Sequence, residues 1–290
     1  MMKKSPASQL LQIVDLFEDY QTTGYRSARP PAAAGGLSIP GAGYAAGATR
    51  HTGNADHSDQ TEPAPTQAAS SATQREEGRA EAAAEARQGL ALDIRADMSR
   101  EERSAMLRQI EERVKACTRC RLHERRTHAV PGFGVLDPLV MVIGEGPGAD
   151  EDEQGLPFVG RAGQYLDKWL DPIGVSRHEN AYITNIVKCR PPGNRDPEAD
   201  EQDACRSYLE GQIALVRPAT ILSVGRIASA ILTGQSAGIG RIRGSVYRYD
   251  GIPLVATYHP SGVLRNQEWR RPVWEDLKLL REQFPAHLRS

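Results

Sequence analysis

Apolar and polar positions along this chain sort into short strands and longer helices. Leu139-Val140-Met141-Val142-Ile143 is an unbroken apolar run between Pro138 and Gly144, the pattern of a strand buried on both faces. Ala181-Tyr182-Ile183-Thr184-Asn185-Ile186-Val187, Thr220-Ile221-Leu222-Ser223-Val224-Gly225 and Pro253-Leu254-Val255-Ala256-Thr257-Tyr258 repeat it. Helical stretches separate these runs: one from Ala162, one from Asp196 to about Val216, one beginning over Ile227 to Leu232, and a last one from about Pro272 to Phe284. Strands alternating with helices predict a parallel sheet covered on both faces. The expected fold is therefore α/β, a three-layer α/β/α arrangement around a central four-stranded parallel sheet. Ahead of it, Ser99-Arg100-Glu101-Glu102 is a capping-box pattern. Ala105, Met106, Leu107, Ile110 and Val114 follow as a helical stripe ending at Cys117. Asp196 is expected to cap its helix, with Pro197 at the first position.

Residues 98–290 thus form the expected folded domain. Over residues 22–97 Ala, Gly, Pro, Ser, Thr and Gln dominate and apolar periodicity nearly vanishes. Such a segment cannot bury enough surface to offset its ordering entropy, so it reads as a disordered linker. Residues 1–21 carry Leu10, Leu11, Ile13, Val14, Leu16 and Phe17 at the spacing of a short amphipathic helix. The plain expectation is a helix that docks on the main domain. Residues 12–17, Gln12-Ile13-Val14-Asp15-Leu16-Phe17, also resemble the short motif by which bacterial proteins bind the replication sliding clamp.

Composition narrows the classes. The 290 residues carry a formal net charge of −1, so a nucleic-acid surface must be a local patch. No apolar run approaches the roughly 20 residues of a membrane span. Gln12, Asp15 and Glu18 interrupt the first apolar stretch, against a signal peptide. A cytoplasmic monomer is expected. Four cysteines in such a chain suit metal ligation better than disulfides.

The richest chemistry follows the first strand, from Gly144-Glu145-Gly146-Pro147-Gly148 through Asp150-Glu151-Asp152-Glu153 to Pro157-Phe158. Open α/β sheets bind ligands at such strand ends, and the glycines let backbone approach a ligand closely. Asn185 ends the second strand and His259 follows the fourth, so a parallel sheet brings both to the same edge. Asn can pair with a base edge, His can donate to a carbonyl oxygen, and Phe158 can stack on a base face, worth about 1–3 kcal/mol. Seven arginines lie between Arg226 and Arg271, against only Asp250 and Glu268. Arg241 and Arg243, in a glycine-bounded loop, and Arg265 near His259 suit phosphate contacts. Cys117 and Cys120 have the two-residue gap of a shared metal centre, with Cys189 and Cys205 farther along. Four thiolates suit zinc or a four-iron cluster, and spacing does not decide between them. A local zinc site of Cys117, Cys120, His123 and His128 competes.

These motifs together resemble the family 4, iron–sulfur branch of the uracil-DNA glycosylase superfamily. The matching pieces are Gly144 to Gly148, Glu151-Asp152, Gly155 to Gly160, Thr184 to Pro192, and His259-Pro260-Ser261, with the four cysteines in order. The resemblance covers roughly residues 100–285. It implies a base-excision-repair enzyme that hydrolyses the glycosidic bond of deoxyuridine flipped out of DNA. It implies a [4Fe–4S] cluster on Cys117, Cys120, Cys189 and Cys205. Uracil would lie on Gly146, Phe158, Asn185 and His259, with His259 also stabilising the leaving base. Glu145 and Glu151 are the candidates for orienting water or stabilising the sugar cation. Leu264 and Arg265 would stand at the wedge that fills the vacated stack. The stretch Arg190 to Arg195 lacks the histidine with which a neighbouring branch bonds covalently to DNA. Two other readings compete: a DNA-binding repair or replication protein with this fold and little excision, and a metal-dependent hydrolase built on Asp150 to Glu153.

Overall fold

The computed structural model describes residues 94–286. The expectations for residues 1–21, the clamp-like motif at 12–17 and nearly all of the linker at 22–97 lie outside the described residues.

The chain runs through α1 (Arg100–Lys115), β1 (Phe133–Gly134), β2 (Val140–Gly144), α2 (Ala149–Gln154), α3 (Arg161–Leu170) and β3 (Ala181–Asn185). It continues through α4 (Ala199–Val216), β4 (Thr220–Val224), α5 (Arg226–Thr233), α6 (Ile239–Ile242), β5 (Val246–Tyr249), β6 (Ile252–Thr257), α7 (Pro260–Arg265) and α8 (Arg270–Glu282). The four strands read from the sequence form the parallel core, in the order β3-β2-β4-β6. Two antiparallel edge strands extend it to a mixed sheet of six: β1 on β3 and β5 on β6. The sequence reading omitted both. Two residues of β1 carry no periodicity, but β5 had a signal. Asp250-Gly251, both at positive φ, is a two-residue hairpin turn of the Asp-Gly kind.

Side chains on the core strands alternate between two apolar clusters. Val140 and Val142 face one side with Ile183, Leu222 and Val255, where α3 and α8 bring Leu166, Trp169, Leu277 and Leu280. Met141 and Ile143 face the other with Tyr182, Ile221 and Leu254, covered by Ile110, Val114, Leu209 and Ile213 of α1 and α4. Sheet faces that are both apolar explain the unbroken apolar runs. The capping box at Ser99 forms as expected: its hydroxyl accepts from Glu102 N–H, and its own N–H donates to the Glu102 carboxylate. Asp196, in contrast, does not cap α4. Glu198 stands at that position, and its N–H donates 2.7 Å to Glu201, while Asp196 pairs with Arg226. Among the described residues no helix is long and apolar enough to cross a membrane.

Candidate active site

The carboxyl ends of the parallel strands share one edge. Gly144 and Asn185 are register partners at the last step of the β2–β3 ladder. Glu145 follows β2, and His259 follows β6 by way of Tyr258. A Cβ on Gly144 would lie 2.5 Å from Asn185 Oδ1 and 2.6 Å from Phe158 Cζ. Only glycine lets the amide and the ring close over the strand end. The Asn185 side chain is buried, and Oδ1 has no hydrogen-bond partner there. A buried amide oxygen left unpaired costs about 1–3 kcal/mol, which marks it as a place where a ligand supplies the missing donor.

Phe158 reaches this point in a left-handed backbone conformation, φ +52. That is unfavourable for a residue with a Cβ, so its surroundings must impose it. Two devices do so. Glu151 accepts from Val159 N–H and Gly160 N–H, each at 2.9 Å, and from Gly148 N–H at 3.1 Å. Arg177, anchored on Asp167, donates to the carbonyls of Phe158 (2.8 Å) and Pro157 (3.2 Å). Both Glu151 oxygens are thereby spent on the loop. Sequence reasoning missed Arg177, which sits in an irregular connection before β3 with no motif around it.

His259 heads α7, and its Nδ1 accepts from Ser261 N–H (3.2 Å) and lies 2.8 Å from Ser261 Oγ. Nδ1 is thus an acceptor, which assigns the proton of the neutral ring to Nε2. Burial, helped by the charge of Arg265, depresses its pKa to about 4. The imidazole is therefore neutral at physiological pH and still carries one N–H to donate. Its ring faces Phe158, centroids 5.7 Å apart. Glu145 shows the opposite shift. Burial first, and the nearby Asp196 second, raise it to about 6, with Arg226 opposing. It stays ionised above that pH, and among the described residues no hydrogen bond to its carboxylate is seen. Gly146 lines the same loop, so close to Val187 that a Cβ would lie 2.8 Å from its methyl carbon.

On the α1 and α4 side of the sheet the four cysteines line a second site. Cys117 and Cys120 follow α1, Cys189 follows β3, and Cys205 lies on α4. All four are free cysteines that line one small cavity with Lys188, Arg126, His123 and Tyr208. Arg126 donates 3.0 Å to Cys189 Sγ. The competing local zinc set does not assemble: His128 Nδ1 lies against the Asp152 carbonyl instead, and among the described residues no three Cys, His, Asp or Glu side chains form a set for one ion.

The family model of the uracil DNA glycosylase superfamily matches residues 131–278, which contain the whole strand-end pocket. A type-4 uracil-DNA glycosylase of Thermotoga maritima is 44% identical over 180 residues, 61% of this chain and 93% of that protein. The chain belongs to the type-4 uracil-DNA glycosylases. A type-4 relative from Pyrobaculum aerophilum is 43% identical over 60% of this chain and 92% of its own length. A type-5 uracil-DNA glycosylase of the same organism is 36% identical over 46% of this chain and 65% of its own.

Around the pocket of this glycosylase, the residues expected to meet DNA divide. Leu264 and Arg265, on α7 beyond His259, and Arg241 on α6 are exposed. Gly262 is buried because Trp269, stacked on Tyr258 at 4.4 Å, occupies the space a side chain would need. Arg243 does not fit the expectation. It forms a two-pronged pair with the buried Asp276, at 2.9 and 2.8 Å, and also donates to the Pro272 carbonyl. Its charge is already matched inside the domain. Asp150 to Glu153 form most of α2, with Asp152 buried and accepting from Thr127 N–H. A metal-dependent hydrolase finds no set of convergent carboxylates among the described residues.

Proposed function

We propose that the strand-end pocket hydrolyses the N-glycosidic bond of deoxyuridine in DNA. The observation that carries this reading is the buried, unpaired Asn185 oxygen beside the Phe158 ring. That is a polar edge next to an aromatic face, held apart by nothing larger than Gly144. A flipped uracil stacks on Phe158 and presents its edge to Asn185. Extrusion costs a few kcal/mol, least for a poorly paired base. As the bond between C1′ and N1 breaks, the electron pair leaves with uracil, and Nε2–H of neutral His259 donates to a uracil carbonyl oxygen. One rigid donor aimed at developing charge is worth about 3–4 kcal/mol. The sugar becomes oxocarbenium-like. Glu145 in its carboxylate form faces this positive charge and orients water. The water oxygen joins C1′, its proton passes to the carboxylate or to solvent, and an abasic site remains. Glu151 serves as a positioning residue for the Phe158 loop. Arg241, Arg265 and Leu264 contact the DNA around the pocket.

Cys117, Cys120, Cys189 and Cys205 would hold a [4Fe–4S] cluster. Cysteines from three separate segments lining one cavity support this. When bound, the cluster supplies a covalent tie between the segment after α1, the end of β3 and α4. Thiol ligation and a DNA substrate support a cytoplasmic site of action.

Uracil release from an oligonucleotide with one deoxyuridine, in EDTA, tests the reading. The parent is expected to release uracil, and Asn185→Ala and His259→Ala to lose most of that activity. No release from folded parent that still binds the oligonucleotide would point to a DNA-binding protein instead.

A further inference from the structure

Lys188 is a lysine 1% exposed, in the wall between the two sites. Its Nζ contacts three groups: Thr184 Oγ1 at 2.6 Å, the Asn185 carbonyl oxygen at 2.7 Å and Gln212 Oε1 at 2.7 Å. Each of these acts as an acceptor. The Thr184 hydroxyl spends its proton on the Pro131 carbonyl (2.8 Å). Gln212 turns its amide nitrogen away, to Pro131 O (2.7 Å) and Tyr182 Oη (3.2 Å). Three acceptors require three N–H donors, which only the ammonium form has. None of these partners is an anion, an unusual state for a buried cation. Its backbone N–H bonds the Cys205 thiol, and the side chain lines the cysteine cavity.

We propose that Lys188 is the positioning residue for Asn185, fixing the amide that reads uracil from behind the strand and joining it to the four-cysteine centre. The inference rests on the reading of Asn185 given above. The physical argument is one of rigidity. Asn185 is the last residue of β3, and beyond it Ile186 N–H and Val187 N–H still donate to the Gly144 and Glu145 carbonyls (2.9 and 3.1 Å). Its own carbonyl accepts from Lys188, and the Thr184 hydroxyl before it accepts from the same side chain and donates to the Pro131 carbonyl. A recognition amide needs its geometry held to within about 0.5 Å; the Ile186 and Val187 bonds act on the N–H groups after Asn185, and the Lys188 contact acts on its carbonyl. Lys188 does not touch the base. It acts through the main chain of the residue that does.

The test is a double-mutant cycle on the holoenzyme, read as the single-turnover rate of uracil release. Lys188→Met keeps the aliphatic stem and removes the donors. It is expected to slow release about tenfold in the parent and by less than about twofold in an Asn185→Ala background, because residues acting through one group are not additive. Visible absorption and a cooperative melt establish that the variant is loaded and folded. An equal loss in both backgrounds would overturn the proposal, since a general structural defect does not depend on Asn185. Should Lys188→Met fail to fold, Thr184→Val, which removes one acceptor, is put through the same cycle with the same two outcomes. Failure of the underlying reading looks different: Asn185→Ala alone would then release uracil at the parental rate, and the Lys188 proposal would fall with it.

Discussion

The rings of Phe158 and His259 stand 5.7 Å apart between centroids, 32° from parallel. One is reached through a loop tied down by Glu151 and Arg177, the other through the first turn of α7. Their separation is fixed by two independent parts of the fold, and the chemistry of the pocket follows from the space between them.

In the proposed mechanism Glu145 gives the pocket its pH dependence. Its raised pKa, about 6, lies well above the pKa of neutral His259, about 4. Excision should rise with pH through about 6 and stay level above it, the limb belonging to the carboxylate and not to the histidine. Glu145→Gln should lower the rate and abolish that limb. Stability moves the other way. An acid with a raised folded pKa binds more protons folded than unfolded between pH 4.5 and about 6, so it costs stability as pH rises through that window. Glu145→Gln should therefore gain on the order of 1 kcal/mol at neutral pH, after discounting for partial exposure, and nothing below pH 4.5. Rate–pH profiles and thermal melts at two pH values check both signs.

Gly144→Ala should abolish most excision while the protein still folds. The added methyl would sit 2.5 Å from Asn185 Oδ1 and 2.6 Å from the Phe158 ring, pushing apart the two groups proposed to hold the base. Overpacking of this kind costs about 1–3 kcal/mol, which melting would register. A variant with parental activity would show that neither group needs its present position.

Arg177→Met should free the loop without touching the pocket. The Phe158 and Pro157 carbonyls lose their donor, and the left-handed φ of Phe158 loses one of its two restraints. Each lost bond is worth about 1 kcal/mol. Excision should fall about tenfold, mostly through weaker stacking. Binding of free uracil, followed by Trp or Tyr fluorescence, should weaken in step.

Arg241 and Arg243 separate DNA contact from stability. Arg241→Ala should leave the melt unchanged, weaken DNA binding and reduce the salt slope of the affinity by about one. Arg243→Ala should leave Asp276 buried beside only Thr257 Oγ1 and Gly244 N–H. Removing one partner of a buried pair costs about 3–5 kcal/mol, so its melt should fall steeply. Equal effects of the two changes on DNA affinity and stability would contradict this division.

Cys205→Ser should lower both the visible absorption and the melting temperature. The thiol sits at the centre of α4, with the other three cysteines on two separate segments. Losing a shared ligand would release those segments from one another.

The parallel core is legible in the apolar runs, because strands buried on both faces must be apolar throughout: β2, β3, β4 and β6 fall within a residue or two of the runs that predicted them. The sequence also showed which residues could reach one pocket, since parallel strands put Asn185, Glu145 and His259 at one edge whatever the loops do. Tertiary structure decided what those residues are free to do. Glu151 and Glu145 look alike in the sequence, yet three backbone N–H groups consume one and none is seen on the other. Arg241 and Arg243 stand two positions apart, yet only one meets a buried carboxylate contributed by α8. Arg177 carries no motif, Lys188 lies inside the Thr184 to Pro192 motif without a role readable from it, and their partners Phe158 and Gln212 lie in segments that only folding brings close. Local pattern records burial because burial repeats along the chain. It records nothing of a hydrogen bond between distant segments, and those bonds assign the roles.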